Sequence, residues 1–400
     1  MQNIKLIHTA DTHIGYNQYK SEVRKKDFLD AFEQVIDYAI KVNADAVIHA
    51  GDLFDSRAPS LEDVLQTINI ISKLKIKNIP FLGIVGNHER KQTVQWLDLF
   101  EEMGIATRLK SKPYKIKDVA LYGIDNLSKS KIPLFDYSSF EEDVTAIKNI
   151  LVMHQLMNPF PFGEWDVEEV IRLVPFKLDA VLLGDNHKHE IQKIEGAWVT
   201  YSGSTERNSA SEMESRAFNI VNISNNEISI ENIGIKTRDF KIIPVEVTEE
   251  KTAYKDIFDK INEHEIKGSV VFVKINGDPS IKISLNEIEE FVLKRGALIS
   301  KVENCRTKDD EFRDIKISYL DPDDAIKKEI RNLNLTEDGI LIDEIIRDFN
   351  IKKSNISKKI EEYLDKNMEK FNSLKEEANE IHEGQDSSKN LKEYTLGSVL

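Results

Sequence analysis

The sequence has little cysteine and no long apolar run, and both absences narrow the class of protein. Cys305 is the single cysteine among 400 residues, so an intramolecular disulfide and a thiolate metal site are excluded. No stretch approaches the ~20 consecutive apolar residues that a membrane-spanning helix needs. The start of the chain also lacks the basic and then apolar segments of a secretory signal. We therefore expect an intracellular, cytoplasmic protein with no membrane association, in which Cys305 is a small buried side chain.

Positive charge is scarce as well. Lys and Arg number 55 against 70 Asp and Glu, which gives a net charge of −15. Residues 1–240 hold 28 basic and 35 acidic side chains, and residues 241–400 hold 27 and 35, so neither part is a basic module. Bulk charge therefore argues against tight binding of a polyanion by this chain alone. Three explanations stay open: no nucleic-acid partner, carboxylates committed to metal ions, or positive charge supplied by a partner protein.

Short apolar runs alternate with helical patterns up to about residue 185, as in layered α/β proteins. Apolar residues recur every three or four positions in 24–42, which predicts a core-facing helix, and 60–77 has a helical pattern as well. The predicted strands are 4–8, 44–50, 80–85, 119–124, 149–154 and 179–184. Strand-like runs at 198–204 and 218–224 follow without long helices between them. Together these two runs predict a second sheet packed on the first.

The composition changes near residue 240, where we place a domain boundary. Residues 241–320 have the pattern of a small α+β domain, with helices at 252–263 and 285–295 and strands at 269–275 and 311–319. Beyond it the chain is helical in pattern and heavily charged, with a polar, flexible stretch at 372–390. Since 400 residues exceed the size of one typical core, we predict domains at 1–240, 241–320 and 321–400.

Metal-capable side chains follow five of the predicted strands. In open α/β sheets, ligands bind just beyond the carboxyl ends of strands, so we expect these side chains to converge on one site. The candidates are Asp11, His13, Asp52, Asn87, His88, His154, Asp185 and His187. Oxygen and nitrogen donors without thiolates suit Mn²⁺, Fe²⁺ or Zn²⁺ better than Ca²⁺. Two such ions ~3.5–4 Å apart can clamp a phosphoester.

Other residues near these motifs have supporting or peripheral interpretations. Gly51, Gly86 and Gly184 lie beside candidate ligands, where the absence of a Cβ lets the backbone approach closely. His8 and His49 lie inside apolar strands and are interpreted as core or supporting groups, and Glu89 as the anchor of its own loop. The candidates for phosphate contact at the rim of the site are Tyr16, Asn17, Arg57 and Arg207.

The ordered motifs Asp-x-His, Gly-Asp, Gly-Asn-His-Glu, His and Gly-x-x-His resemble those of the calcineurin-like metallophosphoesterase superfamily. Within it, the stretches HTADTHIGYNQYKSEVRKKDF, GDLFDSRAPS, GNHER, MHQ and YSGSTER are similar to the SbcD/Mre-eleven nucleases of double-strand-break repair. The resemblance covers residues 4–240 and extends more weakly over 241–320. It implies a sandwich of two packed sheets flanked by helices, a small α+β capping domain and a helical partner-binding tail.

The resemblance also assigns roles to the candidate residues. It implies that Asp11, His13 and His187 hold one metal, that Asp52 bridges, and that Asn87, His154 and Asp185 hold a second, with two Mn²⁺ per subunit. His88 would be the catalytic residue that faces the scissile phosphate. Two positions depart from the family pattern. Asp185 replaces the first histidine of the usual Gly-His-x-His, which shifts the expected preference further toward Mn²⁺, and Asp55 replaces a histidine found in many relatives, so it cannot serve as a cation there.

The implied function is a Mn²⁺-dependent nuclease that processes DNA ends in double-strand-break repair, as a 3′–5′ double-strand exonuclease and a single-strand endonuclease. It would act as a homodimer with an SbcC/Rad-fifty type ATPase, in the nucleoid of a prokaryote, specifically an archaeon. Two alternatives stay open: a metallophosphoesterase for small phosphodiesters or phosphoproteins, and a non-catalytic scaffold of the same fold. The candidate partner contacts in the C-terminal region are Phe349, Ile351, Ile360, Tyr363 and Leu364. With a net charge of −15, the dimer or the ATPase is expected to supply most of the DNA affinity.

Overall fold

The computed structural model describes residues 3–306, which contain four sheets and six α-helices. The strands are β1 (Ile4–Thr9), β2 (Ala46–His49), β3 (Phe81–Gly83), β4 (Thr107–Arg108), β5 (Tyr114–Ile116), β6 (Val119–Ile124), β7 (Lys148–His154), β8 (Met157–Asn158), β9 (Trp165–Asp166), β10 (Ala180–Gly184), β11 (Glu190–Ile194), β12 (Ala197–Tyr201), β13 (Ala217–Ser224), β14 (Glu227–Gly234), β15 (Phe240–Val247), β16 (Val270–Gly277) and β17 (Ile299–Asn304). The helices are α1 (Glu22–Lys41), α2 (Leu61–Ile76), α3 (Trp96–Glu102), α4 (Val167–Leu173), α5 (Ala253–Asn262) and α6 (Leu285–Lys294). None of the helices in this part of the chain is long and apolar enough to cross a membrane.

Two six-stranded sheets form the main body. The first has the spatial order β14-β13-β1-β2-β3-β4, in which β1 to β4 are parallel to one another. Strand β13 runs antiparallel to β1, and β14 runs antiparallel to β13. The second has the order β11-β12-β10-β7-β6-β5, and its four central strands are parallel. Strands β8 and β9 form a separate two-stranded sheet. The parallel centre of each sheet brings the carboxyl ends of its strands to one edge, where the candidate ligands follow.

Three apolar layers hold this body together. Leu6, Ile48 and Leu182 belong to the layer between the two sheets. The outer face of the first sheet is covered by α1, α2 and α3, and Phe32 is fully buried there. The outer face of the second sheet is covered by α4 and neighbouring loops, with Tyr122 buried among them. The predicted sandwich of two packed sheets flanked by helices is therefore confirmed.

The two long helices begin at side-chain caps. Ser21 caps α1, because its Oγ accepts a hydrogen bond from the Arg24 N–H. Ser60 and Asp63 form a reciprocal capping box at the start of α2. Both helices lie where the apolar spacing predicts them, in 24–42 and 60–77.

The arrangement of two later strands differs from the prediction. The runs 198–204 and 218–224 do form strands, but they do not make a second sheet together. Strand β12 adds to β10 in the second sheet, whereas β13 pairs with β1 in the first. Apolar periodicity identifies a strand but leaves its partner unspecified, which explains the error.

Strands β15, β16 and β17 form a parallel three-stranded sheet that packs with α5 and α6 around its own apolar cluster. The carboxylate of Asp27 on α1 accepts two hydrogen bonds from Arg238, at 2.6 and 2.7 Å, just before this sheet. The buried Arg24 guanidinium lies 5.0 Å from the ring centroid of Phe240 in β15. These contacts join α1 to the start of the three-stranded sheet. The predicted domain boundaries at 240 and 320 stay predictions.

Three further predictions concern the end of the described chain. Cys305 is exposed rather than buried, because it follows the last strand of the small sheet, so that prediction is wrong. Strand β17 was not predicted, since its sequence ISKVEN is half polar. The strand predicted at 311–319, the helical region 321–400 and its five candidate partner contacts lie outside the described residues.

Candidate metal centre

The candidate ligands meet at the shared edge of the two large sheets. Asp11 and His13 follow β1, Asp52 follows β2, His154 ends β7 and Asp185 follows β10. Asn87 and His88 follow β3, and His187 lies two residues beyond Asp185. The convergence therefore follows from the topology, since each strand delivers its side chains to the same end.

The backbone of this site is strained. Four of the candidate ligands have a positive φ: Asp11 at 51°, His13 at 43°, Asp52 at 56° and Asp185 at 88°. Non-glycine residues in this region cost roughly 1–3 kcal/mol each and persist where the surrounding fold imposes them. Here the parallel sheets impose them, and the loops turn sharply so that the side chains face one another.

Two glycines permit this close approach. A Cβ on Gly86 would lie 2.0 Å from Asp52 Oδ1, and a Cβ on Gly184 would lie 2.1 Å from the Ala50 carbonyl oxygen. The predicted placement of glycines beside ligands is confirmed at both positions. Any larger residue would displace a candidate ligand or its supporting strand.

Three groups of donor atoms overlap in one cluster. In the first, Asp11, His13 and His187 each offer an atom within 4.8 Å of the others. The other two groups are Asp11, Asp52 and His154, and His13, Asp52 and His88. The Nε2 atoms of His13 and His187 lie 3.2 Å apart. His154 Nε2 lies 3.0 Å from Asn87 Oδ1, 3.3 Å from Asp52 Oδ2 and 3.7 Å from Asp185 Oδ1. All seven predicted ligands are thus brought together.

The donor set fits divalent cations. Asp11 is 0% exposed and Asp52 is 2% exposed. Among residues 3–306, neither carboxylate has a Lys or Arg within 4.0 Å. Burying two carboxylates without a cation costs several kcal/mol per ion, and hard oxygen donors with imidazole nitrogens provide the coordination that divalent metals require. The chemistry of these residues is therefore that of a divalent-metal site.

Electrostatics in the site work in the same direction. Burial opposes protonation of His154, but the carboxylates of Asp52, Asp11 and Asp185 outweigh it and raise the pKa of His154 well above its usual value. Burial also opposes ionisation of Asp52, yet the neighbouring His154, His13 and His88 hold the pKa of Asp52 below its usual value. For Asp185, burial and the negative charges of Asp11 and Asp52 raise the pKa despite His154 and His187. The site therefore favours positive charge at its centre.

Hydrogen bonds outside the cluster orient the ligands. His154 Nδ1–H donates to the Ala50 carbonyl at 2.7 Å, which leaves Nε2 free to face the carboxylates. His187 Nδ1–H donates to Glu212 Oε1 at 2.8 Å in the same way. Sequence reasoning missed Glu212, because it lies 25 residues after His187 in a loop without a recognisable motif. Such a carboxylate is identified only from the structure, as the hydrogen-bond partner of the second ring nitrogen of a candidate histidine.

The supporting histidines and Glu89 behave as predicted. His49 Nε2 lies 3.0 Å from Thr12 Oγ1, and His8 Nε2 lies 3.2 Å from the Leu183 carbonyl oxygen. Burial lowers the pKa of each of these two histidines to about 3, so both are neutral. The carboxylate of Glu89 is buried and accepts hydrogen bonds from the backbone N–H groups of Phe54 and Gly86. Glu89 therefore anchors the loop that carries Asn87 and His88.

His88 lies at the open side of the cluster, with 45% of its side chain exposed. Its backbone N–H donates to Asp52 Oδ1 at 2.9 Å, and its Nδ1–H donates to the Asp55 carbonyl at 3.0 Å. The ring is therefore held in place with Nε2 uncommitted. Asp55 contributes more than this carbonyl, since its carboxylate lies 3.4 Å from His13 Nδ1 and 3.7 Å from His88 Nδ1. In this chain the Asp55 carboxylate therefore faces two histidines of the site.

The predicted rim residues divide into two kinds. Asn17 and Arg57 are exposed, and Tyr16 is partly exposed with its ring packed on Phe28 at 5.4 Å. Arg207 differs, because its guanidinium donates to Thr237 Oγ1 and to the carbonyls of Glu212, Glu214 and Arg238. Arg207 thus stabilises the loop that carries Glu212, and a phosphate contact would require it to leave these acceptors.

Comparisons with known proteins agree with this geometry. Residues 4–189 match the family model of the calcineurin-like phosphoesterases. The chain is 52% identical over 369 residues to the DNA double-strand break repair protein Mre11 of Methanosarcina mazei, covering 91% of this chain and 60% of that protein. It is 41% identical to the protein of the same name from Halobacterium salinarum, covering 89% of this chain and 92% of that protein. For the Haloferax volcanii protein of that name the identity is 38%, over 90% of this chain and 81% of that protein.

The chain spans about three fifths of the length of the Methanosarcina relative but nearly all of the Halobacterium one. The agreement extends well beyond the phosphoesterase residues 4–189, since about nine tenths of the chain aligns with each of these relatives. The chain therefore belongs to the Mre11 family of DNA double-strand break repair proteins.

Proposed function

We propose that this protein is a two-metal DNA phosphodiesterase that processes broken DNA ends. In this proposal it is a Mn²⁺-dependent 3′–5′ exonuclease on duplex DNA and an endonuclease on single strands. The observation that carries the proposal is the convergence of seven donor side chains beneath a histidine that is 45% exposed. The names of the relatives supply the substrate, and the donor set supplies the reaction type.

In this proposal each candidate residue has a distinct role. Asp11, His13 and His187 would hold one ion, Asn87, His154 and Asp185 the other, with Asp52 between them. When bound, two divalent ions clamp the phosphodiester and activate water for in-line attack. His88 is held through Nδ1 by the Asp55 carbonyl, so its Nε2 is available to donate a proton to the leaving oxygen or to stabilise charge on the phosphate. The extra carboxylate of Asp185 favours Mn²⁺ over softer ions.

Two substitutions test this assignment. Asp52→Asn removes the carboxylate proposed to lie between the two ions, and His88→Gln removes the group at the open side without replacing a proposed ligand. We expect both to abolish Mn²⁺-dependent cleavage of duplex ends, and only Asp52→Asn to lower the Mn²⁺ stoichiometry. Cleavage by either purified variant at the wild-type rate would refute the assignment.

Substrate comparison separates the alternatives. Turnover on bis-p-nitrophenyl phosphate, a phosphopeptide and duplex DNA with Mn²⁺ would distinguish a nuclease from a phosphatase of small molecules or proteins. A preference for the phosphopeptide would contradict the proposal. A metal content near zero after anaerobic purification, without turnover on any of the three, would identify a scaffold instead.

We further propose a homodimer that forms through α2. Leu61 is 86% exposed and Leu65 is 56% exposed, and their spacing of four residues places them on one helix face. Exposed apolar side chains in such a group mark interaction surfaces. A cleft of about 410 Å³ lined by residues of α1 and α2 lies beside them. Light scattering should show a dimer for wild type and a monomer for the double variant Leu61→Glu, Leu65→Glu, whereas Leu173→Glu on α4 should remain dimeric. A double variant that stays dimeric would exclude this surface.

The partner in this proposal is an SbcC/Rad-fifty type ATPase bound by residues 321–400, through Phe349, Ile351, Ile360, Tyr363 and Leu364. The net charge of −15 supports a dependence on such a partner for DNA affinity. A chain truncated after residue 320 should keep Mn²⁺-dependent hydrolysis of bis-p-nitrophenyl phosphate and lose ATPase binding in co-purification. Retained binding would refute this part. The same function implies a cytoplasmic, nucleoid-associated protein.

A further inference from the structure

Two loops leave the metal-site edge of the second sheet side by side. One follows β6 and the other follows β7, and these strands are parallel neighbours whose last paired residues are Ile124 and Met153. Asn126 Nδ2 donates to the carbonyl of the proposed ligand His154 at 3.1 Å, and the Leu127 N–H donates to Gln155 Oε1 at 3.2 Å. Both loops are therefore attached directly to the backbone of the metal centre.

The two loops are also packed on each other. The Phe135 ring in the first loop lies 5.4 Å from the Trp165 ring in the second, and Tyr137 lies 6.3 Å from Trp165. Gln155 Nε2 donates to Glu164 across the base of the second loop at 2.7 Å. Such packing makes the pair a firm support for whatever their outer surfaces carry.

The outer surfaces carry apolar side chains that the protein leaves in solvent. Phe162 is 88% exposed in the loop after β7, and Leu134 is 80% exposed in the loop after β6. Phe162 also has a positive φ of 65°, a backbone conformation that bulky residues rarely adopt. The next residue is Gly163, where a Cβ would lie 2.4 Å from the Asn158 backbone nitrogen, so the chain turns tightly at this point. Phe162 lies on the solvent side of this turn.

Two exposed lysines lie in the loop after β6. Lys129 and Lys131 are exposed in the same loop as Leu134, and neither has a carboxylate within 4.0 Å in the part of the chain that the structure describes. These two lysines lie in the loop that packs, through Phe135 and Tyr137, on the loop that carries Phe162. Lysines that track a phosphate backbone and an aromatic ring that stacks on bases are the two components of single-strand recognition.

We propose that Phe162, together with Leu134 of the neighbouring loop, stacks on an unpaired base of the DNA end while Lys129 and Lys131 contact the adjacent phosphates. The inference rests on the proposed nuclease function and adds a binding site for the unpaired strand to it. Any base has a π-face, so this contact selects single-stranded character and not sequence. It therefore directs unpaired ends toward the metal centre to which both loops are attached.

The test uses the full chain and two DNA probes in EDTA, which keeps the DNA intact. One probe is a blunt duplex, and the other is the same duplex with a short unpaired 3′ tail that carries 2-aminopurine. Stacking of one base is worth ~1–3 kcal/mol, so Phe162→Ala should weaken binding of the tailed probe by about 5- to 150-fold, as measured by fluorescence anisotropy. Binding of the blunt probe should stay unchanged. Phe162→Trp should retain the affinity and the change in 2-aminopurine emission, and Phe162→Leu should lose the emission change.

Controls separate this proposal from the function on which it rests. Leu173→Ala, another exposed apolar residue, should bind both probes as wild type does. Hydrolysis of bis-p-nitrophenyl phosphate with Mn²⁺ should be equal in wild type and Phe162→Ala. If wild type hydrolyses neither this ester nor DNA, the proposed function fails. If wild type is active and Phe162→Ala binds the tailed probe normally, the stacking proposal alone is overturned.

The lysines and an alternative occupant give further outcomes. Lys129→Gln with Lys131→Gln should lower the salt dependence of binding for the tailed probe, by a slope of up to about two. An unchanged slope would overturn the phosphate contacts. A Phe162→Ala variant that alters self-association in sedimentation while leaving tail binding intact would overturn the proposal in favour of a protein contact.

Discussion

The carboxylate of Glu212 gives a sharp test of how the metal centre is oriented. Its Oε1 accepts from His187 Nδ1–H at 2.8 Å, and its Oε2 accepts from Arg216 Nη1 and the Asn208 N–H, both at 3.0 Å. Three donors therefore converge on one carboxylate. Glu212→Gln keeps the shape but replaces one acceptor oxygen with a donor NH₂ group. The first possible position of the new NH₂ group, against Arg216 and Asn208, would set it against two donors. The second position, against His187, is therefore favoured.

In the second case His187 must change tautomer to accept from the new NH₂ group, because its Nδ1 can no longer donate. Its Nε2 would then carry the proton and could not bind a cation. Loss of such a partner lowers metal affinity by roughly 10- to 100-fold, which is about 1.4–2.7 kcal/mol. A hydrogen bond to a charged group, worth ~1.5–3 kcal/mol, gives the same range.

Calorimetric titration of the full chain with Mn²⁺ measures this effect. One of two binding steps should weaken in Glu212→Gln, and the other should stay as in wild type, since His187 belongs to a single donor group. The matched control is Glu214→Gln, an exposed neighbour whose carboxylate lies 3.6 Å from Arg216 Nη2. If both variants weaken binding equally, local negative charge and not the hydrogen bond is responsible. If neither weakens it, the orienting role of Glu212 is refuted.

Three further predictions concern stability. Gly86→Ala should destabilise the chain by about 3 kcal/mol in urea unfolding and abolish Mn²⁺ binding, because its Cβ would lie 2.0 Å from Asp52 Oδ1. The control Gly234→Ala should leave the stability unchanged, because no atom lies within 4 Å of its Cβ. Removal of metal by a chelator should lower the melting temperature of wild type more than that of Asp11→Asn, because only in wild type do two buried carboxylates, Asp11 and Asp52, remain without a cation. An equal decrease in melting temperature in both proteins would contradict this. Burial holds the pKa of His8 and His49 at about 3, below the unfolded value of ~6.5. Each of these histidines therefore contributes stability that is present above pH ~6.5. This contribution is lost as the pH falls, at about 1.4 kcal/mol per pH unit. His8→Gln should reduce the loss of stability between pH 7 and 5 by up to about 1.4 kcal/mol per pH unit relative to wild type, and an unchanged slope would argue against a neutral buried histidine.

The sequence predicts the convergence of the ligands because one rule covers it: parallel strands end at the same edge. Asp11 and His187 lie far apart in the chain, yet each immediately follows a recognisable apolar strand. The partners of these ligands are harder to predict. Glu212 lies in a loop without periodicity, and nothing in its neighbours distinguishes it from Glu214.

Errors in the prediction have the same origin. The strand at 218–224 is identified correctly, but its pairing with β1 depends on long-range packing that apolar alternation does not encode. Arg207 is the last residue of the recognised motif YSGSTER, yet its guanidinium donates to groups as distant as Thr237 and Arg238. Local pattern predicts which residues form an element, and tertiary contacts decide what each side chain does there.

The positive φ angles at Asp11, His13, Asp52 and Asp185 restrict how this centre can change over evolution. Asn, Asp and His enter the left-handed region more readily than other residues with a side chain, whereas β-branched residues are excluded by their backbone. Histidine could occupy position 185 with the loop unchanged, because Asp and His tolerate the same backbone conformation. Ligand exchange at these positions is confined to a few residue types before any question of metal chemistry arises. The donor atoms of the centre can therefore change only among these few side chains, while the backbone that supports them stays the same.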